Sequence, residues 1–220
     1  MTPLLSLLVT SFLTVLVGLL PIVNPLGMAP IFLRLTAGSS GITRRKLAWL
    51  IALYGLALMV VSLFVGSHIL AFFGLTVPAV QIAGGIVVMA AGWRLLQQGD
   101  DTESRERQAP QTDEVMLRHA FFPLTMPLTV GPGTISVAIT LGNKGAATHE
   151  LVPLGIGALL AAVAVSASIY VCYRFADRVL RLLGESGTDI FLRLSAFILL
   201  CLGVQILTNG LGALPWLAGK

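Results

Sequence analysis

Charge is what this sequence has least of. Only 11% of its 220 residues are charged, against about 25% in a typical soluble domain. With 56% hydrophobic residues, that scarcity excludes a disordered chain, a coiled coil and an ordinary water-soluble enzyme. Cysteine is almost absent. Cys172 and Cys201 both fall in apolar runs and read as small core residues, not as a disulfide or a metal pair. Three Trp and three Tyr leave little to stack on bases, so no nucleic-acid partner is expected. Catalytic signatures are missing: there is no G-x-S-x-G, H-E-x-x-H, C-x-x-C or phosphate-binding loop, and no enzyme is expected. The first twenty residues lack a basic n-region and an A-x-A-like end, so they read as a retained first span and not as a cleaved signal.

What the sequence has is apolar length. Its mean hydropathy is +0.91. The runs predict an all-α, polytopic membrane protein with six transmembrane helices, over residues 4–35, 47–70, 77–96, 120–141, 151–173 and 190–211. The first and fourth are interrupted by prolines. Residues 99–118 hold nine of the chain's 24 charged residues together with Pro110, and read as a polar cytoplasmic linker. The expected organisation is one three-span unit over residues 1–98, the linker, and a second three-span unit over residues 119–220. Twelve Lys and Arg fall after spans one, three and five or at their edges, and only Lys144 and Lys220 fall on the other side. The positive-inside rule then puts both termini in the periplasm.

The two units look alike. An offset of 102 residues lays Pro21, Pro25 and Pro30 on Pro123, Pro127 and Pro132. At an offset of 111, Gly92 meets Gly203 and Gly84-Gly85 meets Ser195-Ala196. Three spans per unit make the second start on the opposite side of the membrane, which is an inverted repeat of the kind many secondary transporters use.

The interruptions carry the chemistry. Each proline removes an N–H and obstructs the preceding turn, so broken helices are expected over residues 21–30 and 123–134. Unpaired backbone groups are costly in hydrocarbon and must be buried or line a wet cavity. Half-helix N-termini offer free N–H groups to a carboxylate. Intramembrane polar candidates are Asn24, Thr125, Thr129, Thr134, Gln81, Gln205 and Asn209. Arg193 lies about one turn inside span six. It either snorkels, pairs with Asp189, or anchors a carboxylate at the cavity mouth. All ten carboxylates lie in loops or at span ends, and His68 and His119 near span ends, so no proton relay stands out.

The run Pro-Ile-Val-Asn-Pro-Leu-Gly at 21–27 resembles the N-P-L/I-G signature of the MarC family of bacterial integral membrane proteins. Met-Pro-Leu-Thr-Val-Gly-Pro-Gly-Thr-Ile at 126–135 is similar to that family's M-P-x-x-x-G-P-G-T-I element. Ile82-Ala83-Gly84-Gly85 and Gly203-Val204-Gln205 resemble it too. The resemblance implies a six-span inner-membrane protein, distantly akin to amino-acid exporters of the LysE type. Some members of the family are assigned to transport of glycine and alanine. Asn24, Pro25, Gly27, Gly131, Pro132, Gly133 and Thr134 are the positions that match the motifs.

These readings converge on a secondary carrier of small neutral amino acids in the bacterial inner membrane, exporting or bidirectional. Its substrate would be held by Asn24, Pro25, Gly27, Thr125, Gly131, Pro132, Gly133 and Thr134, with Arg193 and Gln205. Two other readings stay open: a channel for a small solute or ion, and a membrane factor in lipid handling or assembly. The expected partners are a small-molecule substrate and membrane lipid. No cofactor is expected, and a coupling ion, sodium or proton, stays open. Gly84 and Gly85 could join the halves of one chain or two protomers, so a homo-oligomer stays open as well.

Overall fold

The computed structural model describes residues 3–36, 38–97, 113–146 and 151–214. Most of the expected linker lies outside them. Among the described residues the chain is helical throughout. Span one is α1 (Pro3–Val23) followed by α2 (Pro25–Leu35). Span two is α3 (Gly41–Phe64), followed by the short α4 (Gly66–Phe72). Span three is α5 (Val77–Gln97). A short α6 (Asp113–Arg118) leads into a wide-turn segment (Ala120–Thr129) and then α7 (Pro132–Ala146). The last two are α8 (Leu151–Arg174) and α9 (Ala176–Gly212), the latter kinked at Gly184. Among the described residues five stretches are long and apolar enough to cross a bilayer, or six with the bent pair of wide-turn segment and α7 taken as one span.

Large apolar side chains cover the outside, Phe72, Val17 and Ile190 among them. In water such a surface would aggregate; against acyl chains it costs nothing. Trp49 and Trp93 stand exposed within two to three turns of the same face, where amphipathic rings suit a headgroup layer.

Three chain segments meet at that face. The Ser40 N–H donates to Asp113 Oδ1 at 3.1 Å, and Arg44 Nη1 donates to Asp177 Oδ2 at 2.9 Å. The loop after span one, the start of span four and the start of α9 are therefore on one side, as the count of crossings requires. Ser40 also caps α3, its Oγ accepting from Thr43 N at 3.2 Å. The backbone N–H of Ser40, helped by the Ser40 and Thr43 hydroxyls, holds the Asp113 carboxyl below its ordinary value. Arg45 and Lys46 at the start of α3, with Arg94 and Arg174 in the last turns of α5 and α8, make this side the basic face.

The main core gathers α1, α2, α3, the wide-turn segment, α7 and α8 around Leu19, Phe32, Ile51, Val130 and Ile169. Inside it, α1 packs on α8, and α3 packs on α7 and α8. Ser166 ties α8 to the Ala52 carbonyl of α3. The pair α5–α9 forms a second, smaller cluster centred on Val88, Leu199 and Ile206. Its seam is glycine-lined. A Cβ on Gly85 would stand 2.6 Å from Leu207 N, and one on Gly92 would stand 2.7 Å from Leu200 N. Small residues let the two backbones approach, which replaces the hydrophobic drive that lipid does not supply. The sequence marks the right glycines but not their partners: Gly92 lies against Ala196 and Leu200, while Gly203 faces Gly85 and Met89.

Candidate functional site

The two interruptions differ in kind. In span one, a single residue leaves the helical region: Asn24, at φ 44°. One ladder ends at Asn24 and the next begins there: its N–H donates to Leu20 O at 2.9 Å, and its carbonyl accepts from Met28 N–H at 3.0 Å. The expected broken helix is here a one-residue hinge, and Leu4–Leu33 still qualifies as one span. The motif residues explain it. Asn tolerates the left-handed region better than most residues. Asn24 Oδ1 accepts from Gly27 N at 3.2 Å, as a cap does. Pro25 sits at the first helical position, where its missing N–H is harmless. A Cβ on Gly27 would collide with the Asn24 side chain, 2.8 Å from its Cγ. Asn24→Val is therefore expected to cost roughly 2–3 kcal/mol through left-handed strain and the lost cap. Asn24→Gly is expected to cost only about a few tenths of a kcal/mol. Thermal denaturation in detergent checks the pair, and equal losses would discard the hinge.

Span four is broken outright, with a 68° bend between its halves. Phe122 and Met126 are extended, each directly before a proline that disfavours helix at the preceding residue. The bonds in this stretch reach five residues back. Leu124 N–H donates to His119 O at 3.2 Å, which leaves Ala120 O without its usual donor. The Thr125 hydroxyl takes that carbonyl at 2.7 Å. Thr129 Oγ1 likewise donates to Leu124 O at 2.7 Å. Threonine hydroxyls thus replace main-chain donors in the break, as buried backbone in a membrane requires. The helix then restarts at Pro132 and not at Pro127, where the 102-residue offset lays Pro25. Ile135 N–H closes the first turn on Gly131 O at 3.1 Å, so the Gly133 and Thr134 amides precede the ladder.

The fold sets the two interrupted spans side by side, α1 against α7 and α2 against the wide-turn segment. Gly131 and Pro132 are half-buried, while Thr125, Gly133 and Thr134 are buried. Gly133 lies on α5, where a Cβ would strike Val88 and stand 3.4 Å from Gly84 O. Arg193 and Gln205 are not with this group: both are exposed on α9, and Gln205 Nε2 donates to its own helix neighbour Asn209 Oδ1 at 3.0 Å. Among the described residues no metal-ligating cluster gathers.

On the side away from the basic face, a vestibule of about 430 Å³ runs in toward the break. Val61, Gly66, Val80, Gly84, Pro132 and Ile139 line it, from the end of α3, from α4, and from the first halves of α5 and α7. Its lining is apolar. Ser62, within the lining, turns its hydroxyl to Leu58 O at 2.7 Å. At the depth of the break, Val130 closes against Gly55 and Ile169, with a Cβ on Gly55 standing 3.1 Å from Val130 Cγ2.

Toward the basic face the bundle is filled. Tyr173, from the last turn of α8, is 2% exposed and stacks on Phe32 of α2, with centroids 4.4 Å apart and planes 13° apart. Its hydroxyl lies 2.8 Å from Thr129 Oγ1. Thr129 spends its one hydrogen on Leu124 O, so Tyr173 is the donor. Sequence reasoning passed over Tyr173. A tyrosine one residue before Arg174 reads as an interfacial ring, and only the fold buries it.

A family model described as "MarC family integral membrane protein" matches residues 9–214. The chain is 32% identical over 203 residues to inner membrane protein MarC of Salmonella paratyphi A, covering 89% of this chain and 91% of that protein. It is 33% identical over 202 residues to the protein of the same name in Escherichia coli O157:H7, with 89% and 91% covered. No solved structure matches this chain.

Proposed function

This chain belongs to the MarC family of integral membrane proteins, and from that premise we propose that it is a secondary carrier of small neutral amino acids across the inner membrane. One observation carries the reading: a vestibule of about 430 Å³ ends at the first residue of a half-helix, Pro132, in the middle of a span bent by 68°. The Gly133 and Thr134 amides would meet the carboxylate, and carbonyls of the wide-turn stretch the ammonium group. The absence of carboxylates from the predicted midplane suits a zwitterion without net charge. The apolar vestibule wall suits a short aliphatic side chain.

Two features support alternation of access. The packing falls into matching pairs, span one with span five and span two with span four, as an inverted repeat would have it. The vestibule also lies between the main core and the α5–α9 pair, whose apolar clusters meet through Leu95 and Val137. In this reading the basic face is cytoplasmic and both termini are periplasmic. The apolar vestibule favours one competing reading, a lipid-handling protein with an acyl chain as its guest. Uptake of labelled alanine or glycine into proteoliposomes decides between them. The carrier predicts saturable uptake, and no uptake of any neutral amino acid would end it.

A further inference from the structure

We propose that Phe32, Tyr173 and Thr129 form the closed gate of this route on the basic face, latched by the Tyr173–Thr129 hydrogen bond. The proposal deepens the carrier reading above and rests on it.

Position comes first. The vestibule is bounded by the far ends of α3 and α5 and reaches inward to Pro132. Phe32 and Tyr173 sit in the last turns of α2 and α8, at the other end of the bundle. Val130, with Gly55 and Ile169 against it, lies in chain order between Thr129 and Pro132. The cavity thus lies in the half of the bundle away from the basic face, and the half toward that face is filled.

The latch joins the elements that would have to part. Phe32 belongs to the helix following the Asn24 hinge, and Thr129 ends the broken half of span four. Tyr173 belongs to α8, which α3 holds through Ser166. One hydroxyl–hydroxyl bond and one ring stack therefore span both interrupted segments and the fixed helix between them. A phenylalanine would fill the same space. The tyrosine adds a bond whose acceptor lies in the span that bends by 68°. Opening toward the basic face would unstack the rings and expose both hydroxyls to entering water, so the bond is exchanged and not lost.

Thiol labelling tests this without a substrate. The background carries Cys172→Ala and Cys201→Ala, with Ile135→Cys as reporter in the vestibule wall. A charged, membrane-impermeant thiol reagent is applied to either face of sealed vesicles. With Tyr173 present, modification is expected from the face away from the basic one. Tyr173→Phe and Thr129→Val should each raise modification from the basic face about fivefold. Together they should add little beyond either alone, and Thr129→Ser should keep the starting pattern. Phe32→Leu should give the same shift as Tyr173→Phe. An unchanged basic-face rate in Tyr173→Phe and Phe32→Leu, both still folded by circular dichroism, overturns the gate. The two proposals fail separately. A shift in labelling without neutral amino acid uptake leaves the gate and removes the substrate, whereas uptake without a shift removes the gate.

Discussion

Gly203→Val is expected to damage the fold severely by forcing α5 and α9 apart. A Cβ at this position would stand 2.5 Å from Met89 N and 2.9 Å from Gly85 O. Both are main-chain atoms of α5, so no side chain can swing aside. The helices must separate, and separation opens the whole seam, because Gly85 and Gly92 use the same close approach. Overpacking usually costs about 1–3 kcal/mol, and a backbone-on-backbone clash belongs at or above the upper end. About 3 kcal/mol corresponds to a fall in Tm on the order of 10 °C in a chain of this size. Thermal denaturation in detergent measures it. Gly212→Val is the control, since a Cβ there meets nothing within 4 Å. A Gly203→Val protein that melts with the parent would mean that α5 and α9 are not in contact along this seam.

The second large effect concerns transport. Gly133→Leu is expected to lower uptake of alanine or glycine at least about tenfold, equivalent to a loss of only ~1.4 kcal/mol. The side chain would enter the space held by Val88 and press on Gly84. It would thereby push the first turn of α7 away from α5, where the vestibule ends. The amides proposed to bind the carboxylate move with that turn. Gly133→Ala meets the same neighbours with less bulk and should fall in between. Combining Gly133→Leu with Val88→Ala restores space without restoring the glycine, and should recover part of the uptake. Full activity in Gly133→Leu would remove the half-helix terminus from the substrate path. Arg193→Gln and Gln205→Ala should leave uptake close to the parent value, because both side chains lie on the exposed face of α9.

Much of the architecture was legible before any coordinates. Apolar runs long enough for a bilayer can hardly fold otherwise in lipid, where backbone groups must pair within their own segment. The proline clusters marked both interruptions for the same reason. Their characters were not legible. Asn24 accommodates a left-handed turn and caps α2, so span one is interrupted at one residue and still runs on as a single apolar span. Pro123 and Pro127 have no such device and force their neighbours Phe122 and Met126 out of the helix. The register of the prolines misled as well, since α2 restarts at Pro25 but α7 at Pro132.

The sequence alone decided the solvent of this protein, the number of its apolar runs, the places where they break and the family it resembles. These are local properties: hydropathy, missing N–H groups and small residues act within a few turns. Tertiary structure decided which surfaces meet. It paired Gly203 with Gly85, buried Tyr173 under Phe32 against Thr129, and left Arg193 and Gln205 outside. It also set the vestibule in the half of the bundle away from the basic face. No local rule contains those outcomes, because burial belongs to pairs of helices far apart in the chain, and a residue's role changes with what stands opposite it.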